Sequence, residues 1–136
     1  MAQMSGEHFV ITVLAAPGGP TALVCLAGEI DLAAGPALSG VVDRLSASAP
    51  TEVVVDLADV TFACSTLPNF LVRVHRALPD SSALVVCRPT VNTRRLLQVT
   101  NMTRIATLRS DLPTSGHWAP RTAVRPITLP APGRIG

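Results

Sequence analysis

Three reactive side chains follow one another at a junction in the sequence. Cys64, Ser65 and Thr66 come after the β-branched run "VVVDL", residues 53–57, and before a segment with helical spacing. A thiol and two hydroxyls at the start of a helix can serve as a nucleophile, as a phosphorylation site or as a helix cap. The position suits each use, because a helix start offers unpaired N–H groups and a partial positive charge.

A cysteine nucleophile at Cys64 needs a base within reach. The pKa of a thiol falls at a helix N-terminus, which would activate it. His75, however, lies eleven residues further along the same predicted helix, about 16 Å away at a rise of ~1.5 Å per residue. His8 and His117 have no recognisable catalytic context. We therefore predict that the chain is not an enzyme.

Glu29 and Asp31 are a second candidate site, either as an acid/base pair or as metal ligands. Neither has a histidine or a third acid close by in the sequence, so we expect them to end a strand and cap a helix instead. No CxxC motif or Cys/His pair has metal-ligand spacing. No Gly-rich phosphate-binding loop is present either. The sequence thus predicts neither a metal nor a cofactor.

The composition is that of a single domain with an aliphatic core. Of the 136 residues, 48% are hydrophobic and 15% are charged. All 11 basic residues are Arg and they form no dense run, so nucleic-acid binding is not supported. No apolar run approaches the ~20 residues of a membrane-spanning helix, and "MAQMSGEHF" does not resemble a signal peptide. We expect a cytoplasmic protein that binds neither nucleic acid nor membrane.

Hydrophobic periodicity predicts the element order β-β-α-β-α-β-α-β. Strands are predicted at 8–14, 21–27 (ended by Gly28), 52–57, 83–87 and 105–108. The first two helices have apolar stripes at Leu38, Val41, Val42 and Leu45, and at Leu67, Phe70, Leu71, Val74 and Leu78. A third helix runs from Thr90 to near Thr100, where Asn101 suits a left-handed closing position. Such alternation predicts an α/β fold with a mixed or mainly parallel sheet and helices packed on it.

The sequence also indicates a domain boundary. Residues 1–110 form the predicted domain, and residues 111–136 carry five prolines and three arginines without a sustained period. This composition is typical of a flexible tail. Trp118 and Ile127 within it could alternatively dock on the domain or on a partner.

Three stretches together resemble one bacterial family. They are "LAGEIDL" at 26–32, "VVVDLADVTF" at 53–62 and "RRLLQVTNMTRI" at 94–105. In this order and spacing they are similar to the STAS family of anti-sigma-factor antagonists, over about residues 8–110. The resemblance implies a small mixed sheet flanked by helices, with one strand feeding a functional loop.

The resemblance also implies a function. In the bacterial regulators of this family, the antagonist captures an anti-sigma factor that is also a serine kinase, and so releases a sigma factor. The kinase phosphorylates a serine in the loop, which ends the capture. The family loop Asp-Ser-Ser/Thr-Gly-Leu corresponds to residues 64–68 here, so Ser65, or alternatively Thr66, is the expected phosphorylation site. The expected partner-binding residues are Glu29, Asp31, Cys64, Ser65, Thr66 and Leu67.

Three residues of the loop depart from the family pattern, and one of them is Pro68, which stands where the family has Leu and lacks an N–H. Cys64 replaces the Asp and so removes a carboxylate beside the acceptor, and Leu67 replaces a Gly that would permit positive φ. The residues therefore leave two hypotheses open: a phosphorylation switch at Ser65, and an interaction or scaffolding module in which Ser65 or Thr66 is only a cap. The partner's identity and the oligomeric state also stay open, since an exposed edge strand could pair with another chain.

Overall fold

The computed structural model describes residues 2–6, 8–15 and 20–111. They form six strands, β1 (Ala2–Ser5), β2 (Phe9–Ala15), β3 (Thr21–Ile30), β4 (Glu52–Ala63), β5 (Ala83–Cys87) and β6 (Thr107–Arg109). They also form three α-helices, α1 (Gly35–Ser48), α2 (Thr66–Ala77) and α3 (Val91–Val99), and short 3-10 turns at Leu32–Ala34 and Met102–Arg104. From β2 onward this order confirms the predicted one, and β1 is an additional strand.

The strands form one mixed sheet in which neighbours along the chain are neighbours in space. The order is β1-β2-β3-β4-β5-β6. The pairs β1/β2 and β2/β3 are antiparallel, whereas β3, β4, β5 and β6 run parallel. Each helix connects two adjacent parallel strands by a right-handed crossover. Because all three crossovers proceed across the sheet in the same direction, their helices lie on the same face. The predicted α/β class is confirmed.

The main core lies between this face of the sheet and the helices. The apolar stripes predicted for α1 and α2 are buried and join alternate residues of the strands in one cluster. Arg73 and Arg76 on α2 are exposed, as their positions between the apolar residues require. The described helices have 14, 12 and 9 residues. None of them is long and apolar enough to cross a membrane.

The strands β3 and β4 extend further than the sequence predicts. The prediction that β3 ends at Gly28 is wrong: the strand continues through this residue at φ 86° to Ile30. An added Cβ at Gly28 would collide with the backbone carbonyl of His8. In β4, the register against β3 shifts twice, so the strand accommodates extra residues and reaches Ala63 instead of ending at Leu57.

The last part of the described chain follows the prediction closely. Asn101 has φ 66°, the expected left-handed conformation after α3. The final strand begins at Thr107 rather than 105, because Ile105 still closes the preceding 3-10 turn through its N–H to the carbonyl of Met102. The predicted tail lies outside the described residues from position 112 onward, and the division into domain and tail stays a prediction.

Candidate functional site

Ser65 lies at the junction between β4 and α2 with its side chain exposed. It occupies the N-cap position of α2 in a helical conformation (φ −60°, ψ −15°), and its side chain makes no capping hydrogen bond. A capping serine normally has an extended backbone conformation. The hypothesis that Ser65 serves as a plain cap is therefore wrong.

The neighbouring backbone explains why Ser65 does not cap the helix. An N-cap hydroxyl accepts from the N–H of the second or third helical residue. The second is Leu67, whose N–H donates to the carbonyl of Cys64 at 3.1 Å. The third is Pro68, which has no N–H. The Ser65 carbonyl accepts from the N–H of Asn69 at 3.0 Å, so the backbone of Ser65 is fixed while its hydroxyl faces outward.

Cys64 connects the end of β3 to the start of α2. Its N–H donates to the carbonyl of Ile30 at 3.3 Å. Its half-buried thiol lies 3.8 Å from the same carbonyl and 3.4 Å from Oγ1 of Thr66. Neither contact is a base that could activate a nucleophile. The arrangement gives Cys64 a structural role in holding the junction against β3.

Thr66 and Leu67 differ from Ser65 in accessibility. The side chain of Thr66 is buried, with 8% of the residue exposed, and Leu67 is completely buried in the main core. A kinase needs access to the hydroxyl, so Ser65 is the better candidate acceptor of the two. The side chain of Leu67 is not on the surface, so the partner contact expected of it through its side chain is excluded.

Asp31 and Glu29 lie beside this junction at the end of β3. The Oδ1 atom of Asp31 accepts from the N–H of Ala33 at 3.0 Å, so Asp31 caps the 3-10 turn that leads into α1. Glu29 is exposed and pairs with Phe62 of β4. In residues 2–6, 8–15 and 20–111, no group of three or more His, Cys, Asp or Glu side chains could hold a metal ion.

Two exposed apolar residues also flank the junction, and the sequence analysis did not identify them. Leu32 is 81% exposed and Phe62 is 52% exposed. The pairing of Ile30 with Ala63 brings their two chain segments together. No signal in the sequence indicated this position of Phe62, because the bulges that carry β4 past Leu57 break the alternation of a strand. The site thus combines two exposed apolar side chains, two acidic groups and the exposed, uncapped hydroxyl of Ser65.

Comparison with known proteins identifies the family. The family model described as Mlab, STAS domain matches residues 15–110. The chain belongs to the STAS domain family. A comparison with curated proteins gave no match.

Solved structures with the same fold include several described as anti-sigma factor antagonists. One from Mycobacterium paratuberculosis has 25% sequence identity and a TM-score of 0.70, covering 79% of this chain and 91% of that chain. The antagonist SpoIIAA in its unphosphorylated form has 15% identity and a TM-score of 0.62, covering 74% of this chain and 89% of that one. The phosphorylated form of SpoIIAA from Bacillus has 12% identity and a TM-score of 0.55, covering 74% and 92%.

Proposed function

We propose that this STAS protein is an anti-sigma factor antagonist that binds an anti-sigma factor with serine kinase activity and so releases a sigma factor. Membership of the family and the similarity to the mycobacterial antagonist support the general role. The observation that carries the proposal is the exposed, uncapped Ser65 at the β4–α2 junction, where exposed Phe62 precedes it on β4 and exposed Leu32 follows the paired end of β3. The protein acts through contacts with its partner rather than through catalysis.

Leu32 and Phe62 supply the apolar centre of the proposed docking surface. Aromatic side chains are enriched in the buried centre of protein interfaces, surrounded by a polar rim. Burying a side chain of this size contributes about 1.5–3 kcal/mol. Glu29 and Asp31 form an acidic rim beside it, which favours a partner surface that is apolar in the middle and basic at its edge.

Phosphorylation of Ser65 would alter this surface by charge and bulk. A phosphate adds about −1.5 to −2 charge and three strong acceptors at pH 7. The N–H groups of Leu67 and Asn69 are already bonded and Pro68 has none, so the first turn of α2 has few free donors to hold the phosphate. The group would project toward the partner and add to the acidic rim of Glu29 and Asp31. The bulk and charge of the phosphate would then displace the docked partner and end the capture.

The alternative function is an interaction or scaffolding module without a switch. One observation favours it: the residue before Ser65 is Cys64, whose thiol faces the carbonyl of Ile30 and Thr66, so no carboxylate adjoins the acceptor. The replacement of the family's Gly by Leu67 is weaker support for this alternative. Leu67 is buried in the core, so the change from the family's Gly adds no side chain to the docking surface.

A kinase assay distinguishes the two functions. The full chain is incubated with a captured anti-sigma factor kinase and ATP, and the modified residue is located by mass spectrometry. Phosphate on Ser65, and its loss in Ser65→Ala but not in the control Ser81→Ala at an exposed turn, supports the switch. Stable binding that ATP does not alter, with no phosphate on Ser65, supports the module instead.

A further inference from the structure

The strands β3 and β4 keep different spacings where they approach the junction. In β3 every second residue from Ala22 to Ile30, apart from Gly28, lies in the main core. The last residues of β4 that face this core come at every third position, at Leu57, Val60 and Ala63. The two strands stay paired because β4 carries one extra residue at each of its two register shifts. Such an extra residue forms a β-bulge, which can redirect a side chain.

The second bulge turns Phe62 out of the core. Gly28 of β3 pairs with Val60. The next residue, Glu29, pairs with Phe62, so Thr61 is the extra residue. By plain alternation Phe62 would share the face of Val60, which is buried in the core. The extra residue reverses this direction, and Phe62 is exposed beside Glu29. The bulge thus places an aromatic side chain on the docking surface instead of in the core.

Gly28 lies opposite this bulge in a conformation that other residues rarely adopt. Its φ is 86°, and an added Cβ would collide with the carbonyl oxygen of His8. The same carbonyl accepts from the N–H of Glu29 at 2.7 Å. The close approach that excludes a side chain at Gly28 therefore also holds Glu29 in place. An L-residue at this position would have to leave the left-handed region and would turn the peptide that carries the N–H of Glu29.

We propose that Gly28 is a positioning residue for the docking surface: it holds Glu29 opposite Phe62 and so presents the aromatic side chain to the anti-sigma factor. Gly28 has no side chain of its own, so it acts on the partner only through these neighbours. The effect reaches the junction, because the carbonyl of Ile30 accepts from the N–H of Cys64 at 3.3 Å. This inference rests on the proposed function, and its tests separate the two.

Fluorine NMR of the full chain labelled with 4-fluorophenylalanine tests the positioning without a partner. The chain has three phenylalanines, and Phe62 is exposed whereas Phe9 and Phe70 are buried. The signal of Phe62, assigned through its loss in Phe62→Leu, should show the largest shift between H2O and D2O. In Gly28→Ala this signal should move, while the signal of Phe70 stays. A loss of stability alone would lower the folded population without moving the folded-state signal, so an unchanged Phe62 signal overturns the proposal.

Calorimetric titration with the anti-sigma factor kinase tests the consequence for docking. Gly28→Ala should weaken capture about tenfold or more, because a site loses affinity when the residues that support it are loosened. Gly35→Ala, at the start of α1, is the matched control: its φ is −52°, and in the described part of the chain an added Cβ meets nothing within 4 Å outside its own helix and chain neighbours. This variant should keep the wild-type affinity, as should Thr90→Ala, which loses only the cap of α3. Wild-type affinity in folded Gly28→Ala overturns the proposal.

Hydrogen exchange of the wild-type chain decides the matter if Gly28→Ala does not fold. The amide of Glu29 should exchange about a hundredfold more slowly than in an unstructured chain, as expected of a bonded strand N–H. Fast exchange at Glu29, or a small solvent shift at Phe62, overturns the proposal. A wild-type chain that binds no anti-sigma factor kinase contradicts the proposed function instead, and the fluorine and exchange results then decide whether Gly28 positions Phe62.

Discussion

Pro68 stands at the third position of α2, where its missing N–H leaves the hydroxyl of Ser65 without one of its two usual capping donors. The other donor, the N–H of Leu67, is bonded to the carbonyl of Cys64. A serine in a cap position is thus released from capping and presented to solvent. The hydroxyl is therefore accessible, and the stability of α2 does not depend on it.

Substitution of Ser65 should therefore leave the fold almost unchanged. We expect Ser65→Ala to alter the free energy of unfolding by less than about 0.5 kcal/mol, since the loss of a true cap costs about 0.5–2 kcal/mol. The matched control is Thr90→Ala, because Oγ1 of Thr90 accepts from the N–H of Thr93 at the start of α3. Urea unfolding should show a loss of about 1 kcal/mol there. Equal losses at both positions would contradict the uncapped state of Ser65.

The apolar centre of the docking surface should carry much of the binding energy. We expect Phe62→Ala and Leu32→Ala each to weaken capture of the anti-sigma factor about tenfold or more, because the minority of interface residues whose truncation costs more than about 1 kcal/mol cluster at the buried centre of an interface. Val91→Ala, an equally exposed apolar residue on α3, should leave the affinity unchanged. Calorimetric titration measures all three, and an unaltered affinity for Phe62→Ala would place the partner elsewhere.

The ion pair between Asp56 and Arg88 should stabilise the sheet more than an exposed pair does. Oδ1 of Asp56 accepts from Nε of Arg88 and from the N–H of Ala58, tying β4 to β5. Removing one partner of a buried pair costs about 3–5 kcal/mol, and the partial exposure of Arg88 reduces the expected loss for Asp56→Ala to roughly 1–3 kcal/mol. Asp111→Ala breaks the exposed pair with Arg109 and should cost at most about 1 kcal/mol. Similar losses in both variants would refute the difference.

Cys87 should make stability depend on alkaline pH. Burial raises the pKa of its thiol from 9.0 to about 11, and the carboxylate of Asp56 adds to the rise. The unfolded chain therefore ionises first, so the stabilising contribution is complete below about pH 9 and is lost as the pH rises toward about 11. The loss is at most about 2.7 kcal/mol, since each pH unit between 9.0 and about 11 contributes ~1.4 kcal/mol.

Urea unfolding at a series of pH values measures this dependence. Cys87→Ala should remove the alkaline decline, whereas Cys64→Ala, at the half-buried thiol of the junction, should retain it. A decline of the same size in the wild type and in Cys87→Ala would show that other groups cause it.

The helical periods predicted from sequence were reliable because packing against one face of a sheet imposes them. Leu67 illustrates this point. The helical stripe placed it in the core, whereas the family loop implied a partner contact, and its complete burial agrees with the stripe. Where the sequence assigns one residue both to the core and to a partner contact, packing in the core determines where its side chain lies.

Other features could not be predicted, because they depend on contacts far apart in sequence. The four residues of β1 form a strand only through pairing with β2. The bulges that extend β4 to Ala63 break the alternation that defines a strand in sequence. The outward orientation of Ser65 depends on which donors its neighbours have already used, although the missing N–H of Pro68 was visible in the sequence.

The affinity of the full chain for its anti-sigma factor kinase, before and after phosphorylation at Ser65, tests the central claim most directly. Calorimetric titration of the unmodified chain should give tight binding, and stoichiometric phosphate on Ser65 should weaken it about a hundredfold or more, which corresponds to about 2.7 kcal/mol. Ser65→Ala should bind like the unmodified chain and stay insensitive to ATP. Equal affinity of the phosphorylated and unmodified chains would contradict the proposed switch.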